Sequence, residues 1–413
     1  MYPWLLVALL WVASFLNAAD RSILVATMPR IRDEFGLDAT HLALINSTFF
    51  WVYAAAVFVS GRMGDVWRRS RVIAYGLIVW SLATGCMTLA GGFATLLAIR
   101  AAVAVGESSY YPSATALISE WHPGKMRSRA LALHQTGLFA GAGLGALAAG
   151  LIADRLGWRA PFLVFGVAGI VWALLLRRAL ADAPSERGPK IDGTGRFREL
   201  LRNPAVLALC GVFFLANGAS TGVMVWAPTF AHDFLKLDLT GSALLGSATI
   251  NIAGFCAVPV GGWLADALAR RRPNGRFHAL AIGLGVAGLC LVPLLYVSTA
   301  GGVAAVLVAS SLGKGVFDGC IYAAMHDIVA PRARATAVGL MTALGFVGGG
   351  IAPVVVARAG DQFGLAAGIA SLAGAYLVAV AVLITGEGLF REGIGNVIDP
   401  KGAARVGLRP ATK

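Results

Sequence analysis

Six ionisable residues stand inside otherwise apolar stretches of this chain. Asp20 and Arg21 interrupt "FLNAADRSILVATMP" (15–29), Arg100 and Glu107 lie in "IRAAVAVGESSYYPS" (99–113), and Lys314 and Asp318 lie in "LGKGVFDG" (312–319). Two kinds of chemistry suit such groups. A guanidinium or ammonium binds a carboxylate or another small anion. A carboxyl group that exchanges apolar for cationic surroundings changes its proton affinity, by about 4 kcal/mol in a favourable case, and so can carry a proton through a cycle. Spacing limits the arrangement. Arg100 and Glu107 are about 10.5 Å apart along a helix and share a face without touching. Asp20 and Arg21 are about 100° apart round a helix, so at most one points straight into a common space.

The elements that must position these groups follow from the composition. Hydrophobic residues make up 58% of the 413, charged residues only 13%, and the mean hydropathy is +0.75. That is too apolar for a soluble chain of this length. Apolar spans long enough to cross about 30 Å of hydrocarbon as helix fall near 4–28, 40–60, 71–90, 94–118, 129–153, 158–178, 204–231, 241–266, 276–298, 302–328, 333–358 and 364–386. An isolated charge at mid-membrane costs roughly 2.5–3.5 kcal/mol even on the lenient insertion scale. The six charges are therefore expected to gather around one wet chamber and not to face lipid.

The net charge of +13 has a topological explanation. Of 34 Lys and Arg residues, 25 fall in the loops and tail on the side of the termini. Six (Arg30, Arg32, Arg155, Arg159, Lys236, Arg358) fall on the other side, and three (Arg21, Arg100, Lys314) lie inside spans. This is the positive-inside pattern, which places both termini in the cytoplasm and the chain in the cell's inner (plasma) membrane as a multi-pass protein. No nucleic-acid partner is needed to account for the basicity. The first span lacks a basic n-region and reads as a retained helix, not a cleaved signal. Five cysteines sit within spans without CxxC or Cys/His spacing, so neither a metal nor another cofactor is implied. Phosphate-loop, zinc-protease and nucleophile-elbow motifs are absent, and the chain does not read as an enzyme.

The segment "RALADAPSERGPKIDGTGRFRELLRN" (178–203) divides six spans from six. It sets an N-terminal six-helix bundle (1–178), a cytoplasmic linker (179–203) with a short amphipathic piece near its end, a C-terminal six-helix bundle (204–386) and a cytoplasmic tail (387–413). The halves repeat. "GRMGDVWRRSR" (61–71) matches "GWLADALARRR" (262–272) 201 residues on, and "RSRALA" (127–132) matches "RARATA" (332–337) at 205. Asp154-x2-Gly157 matches Asp361-x2-Gly364 at 207, and "FLNAADR" faces "FLANGAS" (214–220) near 199. Tandem repeats of this kind place a binding site at their interface near the bilayer midplane.

"GRMGDVWRRSR" is similar to the signature loop of the major facilitator superfamily. Together with Asp20-Arg21, the Arg100-x6-Glu107-x4-Pro112 pattern, "EWHPGKMRSRA", "GWRAPFLVFG" and "LGKGVFDG", it resembles the anion:cation symporter family; "NAADRSIL" and "GGWLADALARRRP" also resemble Spinster-type lipid transporters. The resemblance implies an all-α membrane protein of twelve transmembrane helices in two bundles related by a pseudo-twofold axis. It also implies gating charges: Asp65 with Arg68, Arg69 and Arg71, and in the second half Asp266 with Arg270 and Arg271.

On these grounds Arg21 and Lys314 are expected to bind the anion, and Asp20 and Glu107 to carry protons, with Arg100 re-pairing with a freed carboxylate. At the 207-residue offset, Glu107 corresponds to Lys314, so the two are expected to confront each other across the axis, with Asp318 holding the ammonium. Asn46, Tyr53, Tyr110, Gln135, Asn217 and Asn251 are candidates for neutral hydrogen bonds to substrate, although each also reads as an interhelical bond. The function so read is proton-coupled symport of a small organic anion by a monomer working by alternating access among membrane lipids. A Spinster-like carrier of lipids or amphiphiles and a non-transporting membrane receptor are the alternatives.

Overall fold

The computed structural model describes residues 2–37, 39–122, 126–182, 193–237 and 244–398. The first half comprises α1 (Tyr2–Phe35), α2 (Ala39–Val66), α3 (Arg69–Cys86), α4 (Phe93–Ser108), α5 (Tyr110–Trp121), α6 (Arg127–Leu156) and α7 (Arg159–Ala179). A short helix, α8 (Gly193–Arg202), precedes α9 (Pro204–Leu235), α10 (Thr249–Ala269), α11 (Gly275–Leu291), α12 (Ala300–Asp318), α13 (Ile321–Asp327), α14 (Arg334–Phe363), α15 (Leu365–Thr385) and α16 (Glu387–Ile398). Among the described residues, eleven stretches of helix are long and apolar enough to cross a membrane. The remaining crossing, expected as one helix over 94–118, is the pair α4 and α5. The chain turns at Ser109, whose hydroxyl donates to the Gly106 carbonyl at 2.8 Å. Pro112 follows and has no N–H to give the ladder. The tenth crossing is also broken, between α12 and α13.

Helix pairing repeats in the two halves. In the first, α1 packs on α6, α3 on α7, and α4 on both α2 and α3; in the second, α9 packs on α14, α11 on α15, and α12 on both α10 and α11. The halves meet where α2 runs along α14 and α6 along α10, two contacts exchanged by the same twofold. Twelve crossings bring the start of α1 and the end of α15 to one face, called here the terminal face.

Both α6 and α14 are 30 residues long. They end at Gly157 and Gly364, whose φ angles of +85° and +87° suit glycine alone. The repeat in this region therefore runs at 207, with Arg127 opening α6 and Arg334 opening α14. This corrects the 205-residue match of "RSRALA" with "RARATA", which is two residues out of register. The end of α10 and its connection to α11 are together longer than the equivalent stretch of α2 and α3, and they carry the register from 201 to 207.

Lipid cannot reward burial of apolar surface, so these helices are held by close approach of small residues. A Cβ on Gly106 of α4 would stand 2.6 Å from the backbone nitrogen of Trp80 on α3. Gly106→Ala is expected to cost about 1–3 kcal/mol and to lower the apparent Tm of the purified protein in detergent. Gly143→Ala, where a Cβ meets nothing within 4 Å, should leave the Tm unchanged.

The amphipathic piece expected near the linker's end is helical as α8, with Phe197 edge-on to Phe58 of α2 at 4.7 Å. Linker residues 183–192 and tail residues 399–413 lie outside the described residues. In α16, buried Phe390 stacks on Phe277 at 4.3 Å.

Candidate functional site

Asp20 and Arg21 occupy the middle of α1, and Arg100 and Glu107 face them from α4. Arg21 Nε donates to Glu107 Oε2 at 2.7 Å, and an Arg21 terminal nitrogen donates to Asn17 Oδ1 at 3.1 Å. The two partners differ in access: the Arg21 side chain is 25% exposed, whereas that of Glu107 is fully buried. Phe49 of α2 lies under two cations, its centroid 4.9 Å from the Arg21 guanidinium carbon and 4.5 Å from that of Arg100. The Tyr53 ring is 5.2 Å from Arg21. Such faces attract cations most where water is excluded. Asp20 turns the other way, toward α3, where its Oδ2 accepts from the Thr84 hydroxyl at 3.1 Å. Of the adjacent pair, Arg21 is thus the group that borders open space. Asp20 Oδ1, Glu107 Oε1, Arg100 Nε and Asn17 Nδ2 are buried with no hydrogen-bond partner. Buried polar atoms rarely stay unmatched without a role.

The second half has its own charged pocket. Lys314 Nζ donates to Asp318 Oδ1, one helical turn on, at 2.6 Å. A cavity beside this pair is lined by Ser220 of α9, Gly254 of α10, Ser310 and Ser311 of α12, Tyr376 of α15, and Phe139 of α6 from the other half. Glu107 and Lys314, expected to confront each other across the axis, are each paired locally. Each already has a counter-ion within its own half, Arg21 in one case and Asp318 in the other. A buried charge left to cross the interface unpaired would cost more than either local pair.

At the terminal face the halves are pinned together by a network that the twofold repeats. Asp65 accepts from the Ala335 and Thr336 amides (3.2 and 2.8 Å), from the Thr336 hydroxyl (2.6 Å) and from Arg69 (2.9 Å). Asp266 accepts from the Ser128 and Arg129 amides (3.3 and 3.0 Å) and from Arg276 (2.8 Å). A carboxylate of each half thus caps the first turn of a helix in the other, α14 or α6, where unpaired N–H groups favour an anion. Arg69 also pairs with Glu120, and its counterpart Arg276 with Asp327 at 2.6 Å. Arg127 reaches Asp327 across the interface at 2.5 Å. Ser119 and His326, themselves 207 apart, share a hydrogen bond at 2.6 Å that must lie near the axis.

These contacts revise the expected gate. Asp65 pairs with Arg69, but Asp266 takes Arg276 and not Arg270, because the equivalent arginine stands ten residues after Asp266 where Arg69 stands four after Asp65. Arg270, Arg271, Arg68 and Arg71 are exposed. Sequence reading missed Arg276, Glu120, Arg127, Asp327, Thr336 and the Ser119–His326 pair. The 207-residue offset, applied to Arg69 and Glu120, would have found two of them.

Among the neutral candidates, Tyr53 lies against Arg21. Asn217 donates to the Gly345 carbonyl at 2.8 Å and so ties α9 to α14. Tyr110 is fully buried, its hydroxyl donating to the Leu10 carbonyl and lying 2.7 Å from His134 Nε2. Gln135 is buried on α6, while Asn46 and Asn251 are half-buried on α2 and α10. No group of metal-ligating side chains occurs among the described residues.

A family profile described as Major Facilitator Superfamily matches residues 10–353. The chain is 30% identical over 370 residues to a probable chloroplastic anion transporter of Oryza sativa, covering 84% of this chain and 62% of that one. With the hexuronate transporter of Bacillus subtilis it shares 27% identity over 397 residues, covering 91% and 92% of the two chains. The crystal structure of the human organic anion transporter MFSD10 superposes with a TM-score of 0.75 at 15% identity, covering 92% of this chain and 98% of that one, a likeness of fold.

Proposed function

The chain belongs to the major facilitator superfamily, and on that premise we propose that it carries a small organic anion, a carboxylate, together with protons across the plasma membrane by alternating access, with both termini cytoplasmic. The moving units are residues 1–178 and 204–386. Relatives named as a probable anion transporter and a hexuronate transporter support an anionic cargo, and two ion-paired pockets suit it better than an apolar lateral opening for lipid would.

One observation carries the reading: a partly exposed guanidinium, Arg21, holds a fully buried carboxylate, Glu107. An anion that takes Arg21 removes the counter-ion of Glu107. The carboxyl group then keeps its place only as the neutral acid, since an unpaired buried charge is the costlier state. Substrate and proton thus favour each other's binding, as symport requires. Departure of the anion restores the ion pair and releases the proton. Lys314 provides the second cation for the bound molecule, Asp20 the second acid, and Arg100 a nearby positive charge that holds either carboxylate in its ionised turn of the cycle.

Uptake of organic acids into proteoliposomes at two pH values, with and without an imposed gradient, tests the proposal. Accumulation should follow an acid-outside gradient in sodium-free buffer, and saturable binding without counterflow would instead mark a receptor. One proton with a monovalent anion moves no net charge. Two protons add one, worth about 2.3 kcal/mol per 100 mV, so current recorded during uptake should show whether both acids load. Flux that requires sodium, or that ignores the pH gradient, would refute proton coupling.

A further inference from the structure

Helices α6 and α14 match at 207 residues, and the same offset relates Phe139 to Phe346. Both rings leave their own half. Phe346 lies 4.8 Å from the Tyr53 ring and 5.6 Å from the Phe50 ring, on α2 of the first half. Tyr53 is the ring against which Arg21 rests. Phe139 reaches α10 of the second half at Gly254 and forms a wall of the cavity that holds Lys314 and Asp318. Tyr53 and Gly254 are themselves counterparts, separated by the 201 residues that also relate Asp65 to Asp266. Each half therefore sets one phenyl ring beside the ion pair of the other.

The two contacts differ at one position. Where α2 offers Tyr53, α10 offers Gly254, and a Cβ there would stand 2.5 Å from Phe139 Cε1. The tyrosine fills its contact and leaves the Arg21–Glu107 pair under aromatic cover. The glycine omits a side chain, and the Phe139 ring takes that place against α10, where both line the cavity at Lys314. The same symmetry element thus sets one ring against the tyrosine beside Arg21 in one half and makes the other ring a cavity wall beside Lys314 in the other.

We propose that Phe139 and Phe346 are, respectively, the specificity-determining and the coupling-determining residues of the transport cycle. Phe139 is the apolar wall against which the body of the anion packs when its charged group engages Lys314. Phe346 covers Tyr53 and Arg21 and keeps protons from reaching Glu107 from the terminal face while the halves are closed there. Because each ring belongs to the half that moves away, opening of the terminal face withdraws the cover without any further hinge. This inference rests on the transport function proposed above and assigns its selectivity and its tightness to two different residues.

The test uses full-length protein in proteoliposomes, with the organic acid that the wild type carries best. Phe139→Ala should raise KM about tenfold or more, as loss of several packed carbons does in other sites. Its kcat should stay within about threefold, and bulkier acids should become substrates; Phe139→Leu should recover part of the affinity. Phe346→Ala should leave KM near the wild-type value and keep anion exchange at equal pH, while pH-driven accumulation falls to a ratio near one; Phe346→Trp should restore it. Should Phe139→Ala unfold in detergent, Phe139→Leu with Gly254→Ala, which alters the same pocket from its other wall, takes its place and should shift KM and acid preference alone. Equal losses of exchange and accumulation in both variants, or an unchanged KM in Phe139→Ala, would overturn the assignment. A wild type that carries no organic acid on any gradient would instead remove the transport function beneath it.

Discussion

Glu107→Gln is expected to abolish accumulation of the anion against its gradient while leaving exchange of anion for anion in place. Each pH unit across the membrane supplies about 1.4 kcal/mol per proton, a tenfold accumulation. With two units imposed, the wild type should concentrate its substrate about a hundredfold through one proton, and the variant should stop at a ratio near one. The glutamine keeps the shape of the side chain and an oxygen for Arg21 Nε, but it cannot ionise. Loss of one member of a buried pair is ordinarily worth about 3–5 kcal/mol. Here the cost is smaller, because Arg21 is 25% exposed and can turn its charge toward the cavity. The variant should therefore fold, and its affinity for the anion should rise or hold, since Arg21 no longer has a competing carboxylate. Asp20→Asn provides the contrast. Its carboxylate accepts from Thr84, a neutral hydroxyl, and an asparagine can still accept that bond. If Glu107→Gln accumulates substrate as the wild type does, Glu107 is not a coupling group, and Asp20 becomes the carrier to examine.

The legibility of this molecule in its sequence varied with the range of the interaction. Spans were readable because hydrocarbon imposes one rule on every residue in them, and the fold class followed from counting. The break in the fourth crossing was not readable from apolarity, because Tyr110 and Tyr111 keep the run hydrophobic through Ser109. Its sign was Pro112, with its missing donor. Arg21 and Glu107 were legible as a pair in need of partners, since the penalty for a lone intramembrane charge is a local property. The choice of Asp318 by Lys314 was legible in their one-turn spacing, whereas the choice of each other by Arg21 and Glu107 depended on side-chain reach between two helices, which spacing along one helix does not encode. The ion-pair network at the terminal face shows the sharpest difference. Asp65 and Asp266 stand in matching motifs, but the cation for Asp266 comes from beyond a longer connection, at Arg276. A motif read along the chain ends at Arg270, Arg271 and Arg272, where the basic run is conspicuous and solvent-exposed. What recovers Arg276 is the repeat register after that connection, and this became visible once the two 30-residue helices were aligned at their closing glycines.

Asp65→Asn and Asp266→Asn, singly and together, should show the largest change in conformational balance. Each carboxylate accepts two backbone amides at the start of a helix in the opposite half, and Asp65 accepts the Thr336 hydroxyl as well. An asparagine turns an amide group toward those donors and gives up the charge that the helix end favours. Hydrogen bonds to charged groups contribute about 1.5–3 kcal/mol. A single variant should therefore weaken closure of the terminal face by about 2 kcal/mol, close to thirtyfold in the closed-to-open ratio. The two sites cap different helices and act on one equilibrium, so their effects should add, to about a thousandfold in the double variant. Spin-label distances between α2 and α14 at the terminal face would report the shift directly. Turnover should fall with it, because a carrier held open on one face returns slowly. Apparent affinity should change only by the fraction of molecules in the binding state, and affinity measured with the halves cross-linked should not change. Arg276→Ala should behave as Asp266→Asn does, whereas Arg270→Ala should be silent. The reverse ranking would mean that the exposed basic run, not the buried arginine of α11, holds the second half of the gate.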